Sequence, residues 1–154
     1  MAEQVSVTTS INAPAAAVWS LVADLPRMGE FSPENDGATW LKGATSATVG
    51  ARFKGVNSNG KKSWATAGEI IEAVPDKALA FRITAHGLKV AVWRYDITET
   101  SGGCEVTETW IDERNGLVKA LGKPVSGVAD RSAHNRAGME ATLVALKAAA
   151  EAGA

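Results

Sequence analysis

Four side chains in this sequence combine a hydrogen-bonding or titratable group with a position that turns it toward apolar neighbours: Tyr95, Glu108, Ser132 and Asn135. In the run CEVTETWID, from Cys104 to Asp112, Val106 and Trp110 are the large apolar residues of one alternate set. Taking that set as the buried face of a strand turns Glu108 inward with them. A carboxyl group in apolar surroundings keeps its proton to higher pH, so it can act as general acid or base, or fix a ligand hydroxyl. The plainer alternative is a carboxylate near the open end of a sheet, paired with a tryptophan N–H, with Tyr95 or with water. Tyr95 shares a strand face with Ala91, Trp93 and Ile97. Its hydroxyl can serve an enol or ketone, or its ring can form wall.

Ser132 and Asn135 belong to the run Val128 to Ala150, which has no proline, is rich in alanine, and sets Val128, Met139, Leu143 and Leu146 close together on one helical face. At roughly 100° per residue from Met139, Ser132 and Asn135 fall on that face and His134 points away. An inward polar group without a partner costs roughly 1–3 kcal/mol, so ligand, water or each other is expected opposite these two. Arg131 and Arg136 flank the face, either as a clamp for an acidic ligand at a cavity mouth or as solvated helix edges. Asp24, Arg27 and Glu34 are assigned to turns and caps. His86 and His134 are expected in solvent.

Other chemistries lack their residues. Two distant histidines and one cysteine give no metal-ligand spacing, so no metal and no cofactor are expected, and Cys104 is read as packing. GLVKALGK, from Gly116 to Lys123, is one residue too long for a phosphate loop and is followed by Pro124 instead of Ser or Thr. Neither a G-x-S-x-G elbow nor a G-x-G-x-x-G fingerprint is present.

The elements that must hold these residues follow from the hydrophobic period. Val5, Val7 and Thr9, leading to Ile11, read as a first strand; Pro14 marks a helix start, with Ala15 to Val22 behind it and room for one more helical turn in Asp24 to Glu34. The period then changes to two, giving strands near Ala38–Lys42, Ala51–Asn57, Lys62–Ala73, Ala78–Ala85, Leu88–Thr98 and Cys104–Asp112. Asn59-Gly60, His86-Gly87 and Ser101-Gly102-Gly103 suit hairpins, which make the sheet antiparallel. In the fourth strand Trp64, Thr66 and Ile70 are taken as inward, and adjacent Ile70 and Ile71 suggest a bulge or a two-sided contact. Asn115 to Gly127, with three glycines and Pro124, is expected to break the pattern, with at most a helical turn at Leu117 to Leu121.

The bulk numbers narrow the class. At 154 residues one domain, 1–154, is expected. Sixteen basic against seventeen acidic residues give no electrostatic footprint for nucleic acid or an anionic membrane surface, so binding to either is disfavoured. The start MAEQVSVTTS has neither a basic leader nor an apolar core, and no stretch reaches membrane-span length, so the cytoplasm is the expected compartment. Monomer and homodimer both fit.

The order of strand, two short helices, six strands and long C-terminal helix resembles the helix-grip fold of the START, birch-pollen-allergen and polyketide cyclase families. The strings VWSLVADLPRMGEFSPE, GARFKGVNSNGKKSW, WRYDITET and GGCEVTETW look like the actinobacterial polyketide cyclase/dehydrase branch of the SRPBCC superfamily. The resemblance implies an α+β fold in which a seven-stranded antiparallel sheet wraps around the C-terminal helix. On that reading the expected cavity is lined by Trp40, Phe53, Trp64, Phe81, Trp93, Tyr95, Glu108, Trp110, Ser132, Asn135 and Met139. Three functions are carried forward: a carrier for a small hydrophobic, lipid-like or polyketide-like molecule; a cyclase/dehydratase-type enzyme using Glu108, with Tyr95; and an interaction or toxin-like protein acting on translation.

Overall fold

The computed structural model describes residues 3–153, so residues 1, 2 and 154 of the expected domain lie outside the described residues. Seven strands form one antiparallel sheet: β1 Gln4–Ile11, β2 Asn35–Leu41, β3 Arg52–Asn59, β4 Lys62–Val74, β5 Ala78–Ala85, β6 Leu88–Thr100 and β7 Gly103–Asp112. Their order is β1-β7-β6-β5-β4-β3-β2. From β2 to β7 each strand pairs with the next, and β1 closes the sequence against β7. Helix α1, Ala15–Val22, and a 3-10 helix, Leu25–Glu30, connect β1 to β2, and the long helix α3, Arg131–Glu151, packs across the sheet. This is the α+β helix-grip arrangement expected.

Local chemistry accounts for the turns. His86 and Gly87 both have positive φ, 52° and 79°, which is what a two-residue hairpin of matching twist requires. In β4 the pairing slips between Ile70 and Glu72, so Ile71 is the extra residue of a bulge and Ile70 stays fully buried. Gly68 has no room for a side chain because the Phe53 ring lies directly over it.

Strand β2 starts at Asn35, three residues before the expected Ala38, and two helices differ from the expectation. Asn115 to Gly127 is not a broken segment but an eleven-residue helix, α2, Gly116–Ser126. Asn115 caps it by accepting from the Val118 N–H at 2.9 Å, and Gly127, at φ 73°, ends it. Pro124 lies inside the last turn, where it has no N–H to give to the Ala120 carbonyl four residues back. Because Gly127 stops α2, α3 begins at Arg131 and not at Val128; Asp130 caps it by accepting from the Ala133 N–H at 3.1 Å.

The core lies toward one end of the space between sheet and helices. Val18, Leu21 and Val22 of α1, Leu79, Val106 and Ile97 of the sheet, and Leu143 and Leu146 of α3 are buried together. Among the described residues, no helix is long and apolar enough to cross a membrane. Replacing Leu143 with alanine should cost about 2–5 kcal/mol in chemical denaturation, as expected for a buried leucine. Val144→Ala, at the exposed neighbouring position, should change stability by less than about 0.5 kcal/mol.

Candidate functional site

Beyond Met139 the helix and sheet part, and a cavity of about 820 Å³ opens between them. The sheet supplies Trp64, Phe81, Trp93, Tyr95, Glu108 and Trp110, and α3 supplies Asn135, Met139 and Thr142. Three expected residues lie elsewhere. Trp40 and Phe53 pack edge to face at 6.0 Å between ring centroids, and Phe53 meets Phe81 in turn at 5.5 Å, so both fill the core. Ser132 faces a smaller crevice beside Glu3, Arg114 and Lys123, where its buried hydroxyl has no hydrogen-bond partner among the described residues. Its neighbours Arg131, His134 and Asn135 do line the main cavity, so Ser132 turns from it within the first turn of α3.

The register of the sheet makes the central polar contact. Tyr95 and Glu108 are direct neighbours across β6 and β7, as are Trp93 and Trp110. The Tyr95 hydroxyl donates to Glu108 Oε2 at 2.9 Å, with Met28 Sδ 3.9 Å from the same hydroxyl. Glu108 is only 3% exposed, and among the described residues its Oε1 has no hydrogen-bond partner. Burial pushes its pKa up to about 8, against the opposing pull of the tyrosine hydrogen bond. Burial also raises the Tyr95 hydroxyl well above its ordinary value, and the neighbouring Glu108 raises it further. At neutral pH Glu108 is therefore a neutral acid. Since Oε2 accepts from Tyr95, the proton belongs on Oε1, a buried oxygen of a residue that lines the cavity.

A second polar group stands at the mouth. Arg131 Nη1 reaches Glu34 Oε1 at 2.7 Å and Oε2 at 3.0 Å, and Asn135 Oδ1 at 3.3 Å. Its guanidinium also lies 6.0 Å from the Trp64 ring centroid. His134 Nε2 is 2.8 Å from Glu34 Oε2, which corrects the expectation of a solvent-facing histidine. The reason is tertiary: the stretch after the 3-10 helix brings Glu34 alongside the first turns of α3. His86 is exposed on the cavity rim, and Arg136 is exposed away from it. Val118, Leu121 and Val125 of α2 complete the rim, and sequence reasoning missed all three. Their i, i+3, i+7 spacing, between the Asn115 and Gly127 caps, was the available signal.

A family model described as polyketide cyclase / dehydrase and lipid transport matches residues 2–151. The chain belongs to that family. Among solved structures, the family's fold recurs in a Polyketide_cyc-like protein of Corynebacterium glutamicum, 27% identical with a TM-score of 0.65, covering 96% of this chain and 90% of that one. A protein from Chromobacterium violaceum shares 15% identity at a TM-score of 0.72, covering 96% and 97% of the two chains. The di-domain ARO/CYC protein StfQ from the steffimycin biosynthetic pathway shares 13% at 0.74, with all of this chain matching 53% of that one. No curated protein matches the chain significantly.

The buried acid has a consequence for stability. Its folded pKa of about 8 lies above the ordinary 4.5, so the native state holds the proton more tightly than the unfolded chain. The resulting stabilisation is complete below about pH 4.5 and is lost as pH rises through about 8, a change of a few kcal/mol at roughly 1.4 kcal/mol per unit. Glu108→Gln keeps the shape without the titration. Its stability measured across pH 5 to 9 should be flatter than that of the parent and higher at the alkaline end.

Proposed function

We propose that this chain binds and carries a small hydrophobic molecule, lipid-like or polyketide-like, in the cavity between sheet and α3. The observation that supports it most directly is the pairing of a large apolar cavity with a single buried carboxyl whose Oε1 is unpartnered. A volume of about 820 Å³ suits a drug-sized ligand, and aromatic walls supply affinity while few polar groups set orientation. With Oε1 as a donor, the complementary ligand is uncharged and presents an acceptor oxygen, as a ketone, quinone or ether does. Among the described residues, the guanidiniums lining the cavity are already engaged, Arg131 by Glu34 and Arg114 by Asp112, so a ligand carboxylate at this depth meets no free one.

The same pair favours a second reading, an enzyme of cyclase/dehydratase type. In an aldol-type closure an enol carbon attacks a ketone carbon and Glu108 gives its proton to the ketone oxygen. The enol hydroxyl loses its proton as its carbonyl re-forms, and that proton restores Glu108, so the acid is unchanged over the step. Tyr95 holds Oε2 and with it the direction of Oε1. The family description supports both readings.

Titration of a neutral, environment-sensitive hydrophobic fluorophore, with native mass spectrometry of protein purified from its own source, tests the shared claim. We expect saturable binding and a co-purifying lipophilic molecule. Met139→Trp, which fills the cavity from α3, should weaken binding at least tenfold. Absence of both signals would sink both readings. Glu108→Gln then separates them: it should retain binding, because the amide is still a donor, and abolish any turnover of a poly-ketone substrate. Turnover that survives the substitution removes Glu108 from the chemistry.

A further inference from the structure

The even charge balance of the whole chain hides a local asymmetry at the open end of the cavity. Three segments form much of that rim: residues 57–66 around the β3–β4 hairpin, residues 83–93 around the β5–β6 hairpin, and residues 114–127 around α2. Together they carry Lys61, Lys62, Lys89, Arg114, Lys119 and Lys123, and not one Asp or Glu. Three acids next to these segments already have cations. Glu34 is held by Arg131, Asp112 by Arg114 at 2.8 Å, and Glu113 by Arg82 at 2.9 Å. Among the described residues, no ion pair engages Lys61, Lys62, Lys89 or Lys123, and Lys119 reaches Asp112 only at 3.9 Å. Glu3 and Asp130 border Lys119 and Lys123 in the crevice beside the N-terminus of α3, without pairing to them.

The same segments expose large apolar side chains. Leu117, Leu121 and Val125 of α2 are 61%, 56% and 50% exposed, and Leu88 at the neighbouring hairpin is 40% exposed. On a helical wheel Leu117, Leu121 and Val125 form one stripe, with Lys119 and Lys123 together on another side of the helix. The stripe is continuous with the cavity, because Leu121 and Val125 also line it. Exposed leucines beside unpaired lysines match a surface that is apolar below and anionic above, which is the interface of a bilayer containing acidic lipids.

We infer that the rim formed by α2 and the two hairpins docks on anionic lipid bilayers, with Leu117, Leu121 and Val125 entering the interface and the lysines meeting the headgroups. Docked in this way, the cavity opens onto the acyl region, and a hydrophobic ligand passes between membrane and protein without crossing water. The surface is argued from its own residues and needs no catalysis. Its use for ligand exchange rests on the carrier reading.

Co-sedimentation with phosphatidylcholine vesicles, and with vesicles of equal parts phosphatidylcholine and phosphatidylglycerol, tests it. Full-length protein should pellet with the anionic vesicles, far less with the neutral ones, and should be released by high salt. Lys119→Gln/Lys123→Gln should weaken binding roughly tenfold or more, and Leu117→Ser should weaken it independently. All these positions are exposed and Leu117 does not line the cavity, so thermal melts and fluorophore titrations should match the parent. Protein that stays in the supernatant with both vesicles overturns the proposal and leaves an acidic protein as the partner for this surface. Binding that is unchanged in the variants overturns it too. The fluorophore titration reads the cavity separately, so a failure of docking is distinguishable from a failure of the carrier reading.

Discussion

A hollow between helix and sheet is the constraint on which the rest of this structure depends. Apolar atoms facing a void lose the contacts that close packing would give them, so an opening of about 820 Å³ must be carried by dense packing elsewhere. That packing is gathered at one end, where Val18, Leu79, Val106, Leu143 and Leu146 are all but inaccessible to solvent. Strand β7 runs through both regions: Val106 lies in the sealed end, Trp110 in the wall of the cavity, and Glu108 at the change between them. One strand therefore couples the stability of the grip to the geometry of the site.

The two glutamates of the cavity show how neighbours, not residue type, decide chemistry. Glu34 has a guanidinium reaching both its oxygens and an imidazole on one of them. Glu108 has a phenol on one oxygen and nothing on the other. The first, through these contacts, ties α3 to the segment before β2. The second keeps its proton near neutrality, and because Tyr95 occupies Oε2, the group has a defined donor direction. The ion pairs elsewhere on the sheet, such as Arg94 with Glu72 and Asp96, are partly solvated, and pairs of that kind contribute little to stability.

How much of this was legible in the sequence depends on whether the deciding contact was local. Strand alternation is local, and it was enough to place Glu108 beside Val106 and Trp110 and to flag the bulge at Ile70 and Ile71. The antiparallel sense of the sheet followed from hairpin turns, whereas the pairing of β1 with β7 rests on a contact distant in sequence. Depth within the sheet was not legible: Trp40 and Phe53 sit on inward faces, as Trp64 and Trp93 do, but at the sealed end, and alternation cannot distinguish the two ends. His134 was misjudged because a helical wheel knows only its own helix, and the group that covers that flank, Glu34, is distant in sequence. Ser132 was misjudged because its helical angle says nothing of what faces it, and the crevice beside Glu3 and Arg114 is set by contacts distant in sequence.

Helix α2 was the least legible element, and the reason is physical. Its Gly116, Gly122 and Pro124 mimic a loop, while its caps at Asn115 and Gly127 work as helix boundaries. Of its apolar residues, Val118 is half-buried, whereas Leu117, Leu121 and Val125 remain largely in solvent. Such a helix satisfies neither the pattern of a core element nor that of a solvated one, because the sheet contributes only part of its apolar surroundings. Sequence patterns report the sum of a residue's environments, including those outside the chain. A segment whose composition asks for more burial than its own fold provides is therefore informative by its mismatch, and here the mismatch falls at the mouth of the cavity, where a hydrophobic cargo has to enter and leave.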